Sequence, residues 1–179
     1  MKTVERPIFL VGFMGSGKTT VGKVLAKKLQ AQLIDLDQLI VEKATRSIPE
    51  IFQEFGEDYF RKLESETLFT LSFNAPKIVA LGGGTFVAEQ NREFIKKKGF
   101  SIWLNCDFDE LVGRLKQDNS RPLYRADNLE QFHKLYLSRL SSYSQADLQI
   151  DVTKKRPNQV ARQIMEVILK TSGLQKFYS

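Results

Sequence analysis

The sequence predicts an α/β fold in which a five-stranded parallel sheet is covered by helices on both faces. Short apolar runs alternate along the chain with segments of helical periodicity, as in consecutive strand–helix–strand units. These runs are almost continuously apolar, which is typical of strands that are buried on both faces. The chain has 179 residues and no repeat or linker-like segment, so its length fits one domain.

Each predicted strand is an aliphatic or aromatic run that stops at a polar or glycine-rich segment. The second strand ends at Asp35 and the third at Gly82. In open parallel sheets, ligands bind beyond the carboxyl ends of the strands, so these stops are candidate site positions. In chain order, the predicted strands are residues 8–11, 33–35, 78–81, 101–105 and 148–152.

Helices are predicted where apolar residues recur at intervals of three and four. Ser47 and Glu50 have the spacing of a capping box, and Pro49 is tolerated in a first turn, so one helix begins there. Gly99 closes another helix. The helix that Gly99 closes is residues 89–98, and the remaining predicted helices are residues 21–29, 59–71, 109–116, 129–142 and 158–170.

Composition excludes several classes of protein. Cys106 is the single cysteine, which excludes an internal disulfide and fits a reducing compartment. No apolar run approaches the roughly 20 residues of a membrane span, and the first residues do not resemble a secretory signal. The net charge of +6 is compatible with a solvated basic surface, a nucleic-acid binder or a site for small anions. No basic run is interleaved with aromatics, so we expect no nucleic-acid partner. We also expect a cytoplasmic location, no membrane partner and a monomer.

The segment Gly12–Thr19 matches the phosphate-loop pattern in full and lies between a predicted strand and a predicted helix. Its glycines allow backbone N–H groups to surround phosphate oxygens, and the following helix N-terminus adds positive potential. Lys18 can reach the β- and γ-phosphates, and Thr19 can bind Mg²⁺. The motif therefore predicts a three-layer P-loop NTPase fold, but GTPases, ATPases and kinases all contain it. The predicted nucleotide-binding residues here are Gly12, Gly15, Ser16, Gly17, Lys18, Thr19 and Thr20.

Two aspartates follow the second strand. If the chain is extended here, alternation places Asp35 and Asp37 on the same side. One carboxylate could then hold Mg²⁺ together with Thr19, and the other could orient or deprotonate a substrate hydroxyl. The alternative is a plain helix start, because aspartate is a common N-cap residue.

Three more segments suit a small anionic substrate. Arg61 lies on a predicted helix, with Glu64 one turn later. The triplet Gly82–Gly84 leaves bare backbone at the carboxyl end of a strand, so that a ligand can approach closely. Arg121 lies in a polar loop, residues 117–128, where an arginine on a lid could offset charge on a transferring phosphoryl group. Each segment has a plainer interpretation as a solvated arginine, a flexible turn or a basic surface loop.

Together these motifs resemble those of the shikimate kinases, in the same order over nearly the whole chain. Asp35-Leu36-Asp37 is similar to the family's Asp-x-Asp element, whose first Asp serves the metal and whose second binds the shikimate hydroxyls. The segment 56–61 resembles the family's Gly-Glu-x-x-Phe-Arg, whose Arg pairs with the shikimate carboxylate. The glycine triplet looks like a substrate-binding element, and Arg121-Pro122-Leu123 resembles the family's lid.

The resemblance also implies roles for four residues that the motifs above do not cover. Arg139 resembles the Arg of the family's Arg-x-x-x-Tyr helix, which is the second carboxylate-binding arginine. Arg114 matches a position that stacks near adenine, and Arg156 and Pro157 belong to a loop that closes over the adenine from the other side.

The resemblance implies a single kinase domain spanning residues 1–179, with residues 37–64 as the substrate-binding segment. The implied reaction transfers the γ-phosphate of Mg-ATP to the 3-hydroxyl of shikimate and gives 3-phosphoshikimate and ADP, a step towards chorismate and aromatic amino acids. Lys18, Asp37 and Arg121 would be the catalytic residues. The alternatives are a kinase of another small hydroxy acid, such as gluconate, and a nucleotide-binding regulator.

Overall fold

The computed structural model describes residues 6–116 and 128–170. Within them, five parallel strands form one sheet in the order β2-β3-β1-β4-β5, so the predicted five-stranded parallel sheet is confirmed. The strands are β1 (Ile8–Val11), β2 (Gln32–Asp35), β3 (Lys77–Ala80), β4 (Phe100–Asn105) and β5 (Leu148–Asp151).

Helices cover both faces of this sheet. Every residue of β1 and β3 is buried, and because consecutive side chains point to opposite faces, both faces must be packed. One group of helices contains α1 and α7, which contact each other, and another contains α3 and α4. The helices are α1 (Lys18–Leu29), α2 (Leu36–Ala44), α3 (Ile48–Phe69), α4 (Glu89–Lys98), α5 (Phe108–Leu115), α6 (Leu129–Tyr143) and α7 (Pro157–Lys170).

The region after β2 differs from the sequence-based prediction. The chain does not continue in an extended conformation, because α2 begins directly at Leu36. The Asp35 side chain caps this helix by accepting the N–H of Gln38, at 3.2 Å. The expected extended geometry of Asp35 and Asp37 is therefore wrong: Asp35 is the N-cap of α2, and Asp37 lies in its first turn.

Helix α3 consists of two helical segments that meet at a kink at Gly56, whose φ of 82° and ψ of 175° are not helical. The capping box predicted at its start is present, since the Ser47 side chain accepts the Glu50 N–H and the Glu50 side chain accepts the Ser47 N–H. The two helices predicted for this region correspond to the segments on either side of this kink. A short 3-10 helix, Thr85–Val87, was not predicted and follows the glycine triplet.

Cys106 is buried, and this burial raises the pKa of its thiol to about 11. Among the helices of the described chain, none combines the length and the apolar character that crossing a membrane requires.

Candidate active site

The phosphate loop leaves the end of β1 and enters α1 through three glycines with positive φ. The φ values are 147° at Gly12, 80° at Gly15 and 91° at Gly17, a region that L side chains rarely adopt. Gly17 is the N-cap of α1 and provides no side chain for the N–H groups of the first turn. These N–H groups are therefore available to an anion, as the motif requires.

Lys18 lies across this loop. Its Nζ donates to the carbonyl oxygens of Gly12, at 2.8 Å, and Phe13, at 3.0 Å. Ser16 Oγ is buried and has no hydrogen-bond partner among the described residues. Binding of a phosphate chain would let Lys18 exchange carbonyl oxygens for more negative phosphate oxygens.

Thr19 and Asp35 form a direct contact between α1 and β2. The Thr19 hydroxyl donates to Asp35 Oδ2 at 2.5 Å, while Asp35 Oδ1 caps α2. Asp37 lies in the first turn of α2 and lines the same cavity as Thr19 and Asp35. One hydroxyl and one carboxylate are oxygen ligands of the kind that Mg²⁺ prefers.

A cavity of about 440 Å³ extends from the phosphate loop to the loop after β5. Sequence reasoning missed its apolar wall, which includes Leu81, Val152 and Val160. Strand ends and first helical turns carry such residues in any α/β protein, so no local signal marks them. The predicted site residues that line the cavity are Gly15, Ser16, Gly17, Lys18, Thr19, Thr20, Asp35, Asp37, Arg114 and Pro157.

Three predicted nucleotide-binding residues are not placed in this lining. Gly12 is buried beneath the loop, where a Cβ would lie 2.8 Å from Leu104 O. Arg156 is exposed and its backbone N–H is bound to Gln159 Oε1, whereas Lys155 lines the cavity instead. Arg121, with most of the predicted lid, lies outside the described residues.

The glycine triplet after β3 makes room for charged side chains of the protein itself. A Cβ at Gly82 would collide with the Glu64 carboxylate and would lie 2.7 Å from Asp37 Oδ1. A Cβ at Gly84 would collide with the Arg61 guanidinium. The triplet thus allows Asp37, Glu64 and Arg61 to converge beside the cavity.

Arg61 is held by two carboxylates on its own helix. Its Nη1 donates to Glu64 Oε2 at 2.6 Å, and its Nε and Nη2 donate to Glu57 Oε1 at 3.1 and 2.8 Å. Glu64 also accepts the Thr85 hydroxyl at 2.7 Å. Burial raises the pKa of the Glu64 carboxyl, and the charge of Arg61 offsets part of this effect. Sequence reasoning assigned no role to Glu64, although its spacing of three from Arg61 places both on one helix face.

Arg139 approaches the triplet from α6. Its side chain is 4% exposed, its Nη1 lies 3.3 Å from the position of a Cβ at Gly83, and its guanidinium lies 5.3 Å from the centre of the Phe13 ring. Nη1 has no hydrogen-bond partner within the described chain. The Tyr143 hydroxyl donates to Gly83 O, and burial raises the Tyr143 pKa to about 12, although Arg139 opposes this rise. Arg61 and Arg139 thus both approach the triplet, Arg61 at Gly84 and Arg139 at Gly83.

Comparison with known proteins identifies the family. The family model described as shikimate kinase matches residues 14–169. A shikimate kinase from Sulfurihydrogenibium sp. is 39% identical over 161 residues, covering 90% of this chain and 96% of that protein. The chain belongs to the shikimate kinase family. A second relative in this family, from Geobacter sulfurreducens, is 41% identical over 160 residues, covering 89% of this chain and 88% of its own length.

Solved structures agree with this membership of the shikimate kinase family. The shikimate kinase of Acinetobacter baumannii in complex with shikimate is 34% identical, with a TM-score of 0.88 over 93% of this chain and 94% of that one. A gluconokinase from Sinorhizobium meliloti has a TM-score of 0.65 but only 16% identity, covering 92% of this chain and 91% of its own, so it shows a shared fold alone. The predicted P-loop fold, family and enzyme class, an ATP-dependent kinase, are therefore confirmed.

Proposed function

We propose that this chain transfers the γ-phosphate of ATP to the 3-hydroxyl of shikimate and releases 3-phosphoshikimate and ADP. The observation that carries the proposal is the convergence of Asp37, Arg61 and Arg139 around the glycine triplet, next to the phosphate loop. Two arginines and one aspartate suit a molecule with a carboxylate at one end and hydroxyls at the other. The A. baumannii relative was solved with shikimate, which supports the choice of acceptor.

In this proposal, substrate orientation comes from the arginines. Arg61 and Arg139 bind the shikimate carboxylate, because the planar guanidinium forms directional and often bidentate pairs with carboxylates. Asp37 accepts a hydrogen bond from the reacting hydroxyl and takes its proton as the phosphoryl group is transferred. Gly82, Gly83 and Gly84 contact the substrate through their backbone.

The phosphate end uses the loop between β1 and α1. Backbone N–H groups of residues 12–19 and the Lys18 ammonium hold the phosphates, and Arg121 offsets the charge that develops on the γ-phosphoryl group. Arg114, Arg156 and Pro157 belong to the adenine end. Because phosphoryl transfer requires little covalent help, positioning and charge neutralisation supply most of the rate.

The oxygen ligands Thr19 and Asp35 fit Mg²⁺, which usually keeps several waters and binds few protein groups. When bound, the ion supplies positive charge that neutralises the β- and γ-phosphates. The proposal also includes one kinase domain over residues 1–179, with residues 37–64 holding the substrate and residues 117–128 as a lid. It retains the expectation of a cytoplasmic monomer with no nucleic-acid or membrane partner.

A coupled assay of ADP release tests the function. With Mg²⁺ and ATP, ADP should form only when shikimate is added, and gluconate should not replace it. Lys18→Ala should fold normally and show almost no turnover, because the loop loses its phosphate-binding ammonium. ADP release that needs no added acid would favour a nucleotide-binding regulator, and turnover with gluconate would favour a different small-molecule kinase.

A further inference from the structure

Glu110 connects two separate parts of the cavity wall. It lies on α5, one turn before Arg114, and its side chain is 22% exposed. Its Oε1 accepts a hydrogen bond from Arg114 Nη2, and its Oε2 accepts the backbone N–H of Lys154 at 2.6 Å. Both carboxylate oxygens are therefore bound: one to Arg114, which lines the cavity, and one to Lys154, whose neighbour Lys155 lines it.

The first wall is the phosphate-loop side. Arg114 Nη1 donates to Gly15 O at 3.1 Å, while Nη2 donates to Glu110. The guanidinium is thus fixed at both of its terminal nitrogens and lines the cavity. A planar group fixed in this way presents a defined face to whatever binds there.

The second wall is the loop after β5. Lys154 has φ of 55°, a left-handed conformation that is disfavoured for residues other than glycine. Its N–H is bound by Glu110, and the preceding Thr153 is held by its hydroxyl, which accepts Asp107 N–H at 3.0 Å. Val152, Lys155 and Pro157, on either side of this turn, line the cavity.

We propose that Glu110 is a positioning residue for the nucleoside of ATP. By binding Arg114 and Lys154 at once, its carboxylate sets the separation of the two walls between which the base lies. This inference rests on the proposed function for the placement of ATP. Glu110 itself is not expected to touch the reacting groups.

The position of Glu110 predicts which kinetic constants depend on it. The phosphate-binding groups are the backbone of the loop, Lys18 and Thr19. Lys18 donates to Gly12 O and Phe13 O and Thr19 to Asp35, and Glu110 is linked to the loop through Arg114, which donates to Gly15 O. The residues around the glycine triplet belong to other elements. Loss of Glu110 should therefore weaken nucleoside binding and leave phosphate binding, shikimate binding and kcat nearly unchanged.

The test compares Glu110→Ala and Glu110→Gln with the wild type. We expect Glu110→Ala to raise the KM for ATP and the Kd for ADP about tenfold, since hydrogen bonds to a charged group are lost. Glu110→Gln keeps one acceptor oxygen and should fall between the alanine variant and the wild type. Inhibition by inorganic tripolyphosphate, the shikimate KM and kcat should change less than about twofold. Glu166→Ala, which removes an exposed carboxylate 4.0 Å from Arg162 on α7, is the matched control and should behave like wild type.

Three outcomes would overturn the inference: an unchanged Kd for ADP in both variants, an equal loss of tripolyphosphate binding, or a fall in kcat as large as the rise in KM. If Glu110→Ala does not fold, the same criteria apply to Glu110→Gln. Calorimetric titration with ADP requires no acceptor. Failure of wild-type turnover with shikimate would therefore refute the proposed function, and the ADP titration would still decide the role of Glu110.

Discussion

Arg61 and Arg139 are proposed to bind the same carboxylate, yet the protein holds them in opposite ways. The Arg61 side chain is 27% exposed and is paired with Glu57 and Glu64. Arg139 is 4% exposed, has no carboxylate partner among the described residues, and lies over the Phe13 ring. Arg61 thus forms part of an ion-pair network, whereas Arg139 is a buried cation with an unsatisfied N–H group.

This difference in environment predicts different contributions of the two arginines to stability and to substrate binding. A buried polar group without a partner costs stability, so its retention points to a ligand that completes it. Removing one member of a buried ion pair is costly because the other charge is left without compensation. We therefore expect the two arginines to matter similarly for substrate binding and very differently for folding.

The largest effect is expected for Arg139→Met on substrate binding. Methionine fills similar space without charge, so shikimate should bind roughly 2–4 kcal/mol more weakly, a loss of about 30- to 1,000-fold. The free energy of unfolding should stay within about 1 kcal/mol of wild type or rise, because an unsatisfied buried group is removed. Calorimetric titration and urea unfolding measure the two quantities. A variant that loses stability but still binds shikimate normally would reverse the assignment of Arg139.

Arg61→Ala should combine a binding defect with a folding defect. The free energy of unfolding should fall by about 2–3 kcal/mol at neutral pH, because Glu64 is left buried without its cation. Urea unfolding of this variant beside Arg139→Met gives the comparison directly. Equal stability of the two variants would show that the Glu64 pair contributes nothing to the fold.

The stability defect of Arg61→Ala should depend on pH. Burial already raises the pKa of Glu64 above its ordinary value of 4.5, and loss of Arg61 should raise it further. A raised pKa means that the folded state holds its proton where the unfolded state does not, so stability is lost as pH rises through the folded-state pKa. The difference in the free energy of unfolding between Arg61→Ala and wild type should therefore shrink as the pH falls from 8 to 5.

Unfolding curves at several pH values measure this difference. Arg61→Ala combined with Glu64→Gln is the control, since it lacks the titrating group. The double variant should recover stability at neutral pH, lose the extra pH dependence and still bind shikimate weakly. A pH dependence that persists in it would assign the effect to another carboxylate.

The sequence was sufficient for the sheet and for the local motifs, because both depend on neighbouring residues. Runs such as Ile8–Val11 are apolar throughout since both faces of the strand are buried, and this is visible without a structure. The start of α2 was one of two alternatives, because Asp35 fits both an extended strand end and a helix cap. Only the hydrogen bond to Gln38 decides between them.

The remaining site contacts join distant segments and have no local signal. Glu64, Asp37 and Gly82 meet because two helices and a strand end pack together. The bond from Lys154 N–H to Glu110 spans 44 positions of sequence. Residue types and motif spacing identify the charged residues of the candidate site, but the partners of these residues depend on tertiary packing.

The smallest effect, and the finest test of the comparison, is expected for Glu57→Gln. Glu57 is 50% exposed and binds Nε and Nη2 of Arg61, an edge of the guanidinium that could otherwise bind a carboxylate bidentately. A neutral amide competes less well, so shikimate affinity should rise by about two- to fivefold, while stability changes by less than about 0.5 kcal/mol, as for exposed pairs generally.

Glu54→Gln is the matched control for this variant. Glu54 is on the same helix, is 51% exposed and pairs with Arg46 at 3.0 Å, so the same chemical change should leave shikimate affinity unaltered. Calorimetric titration of both variants separates a local effect from a change of surface charge. Weaker binding by Glu57→Gln would mean that Glu57 orients Arg61 for the substrate. In that case Arg61 would be positioned by two carboxylates and Arg139 by none, and the contrast between the two arginines would be larger than the described contacts alone imply.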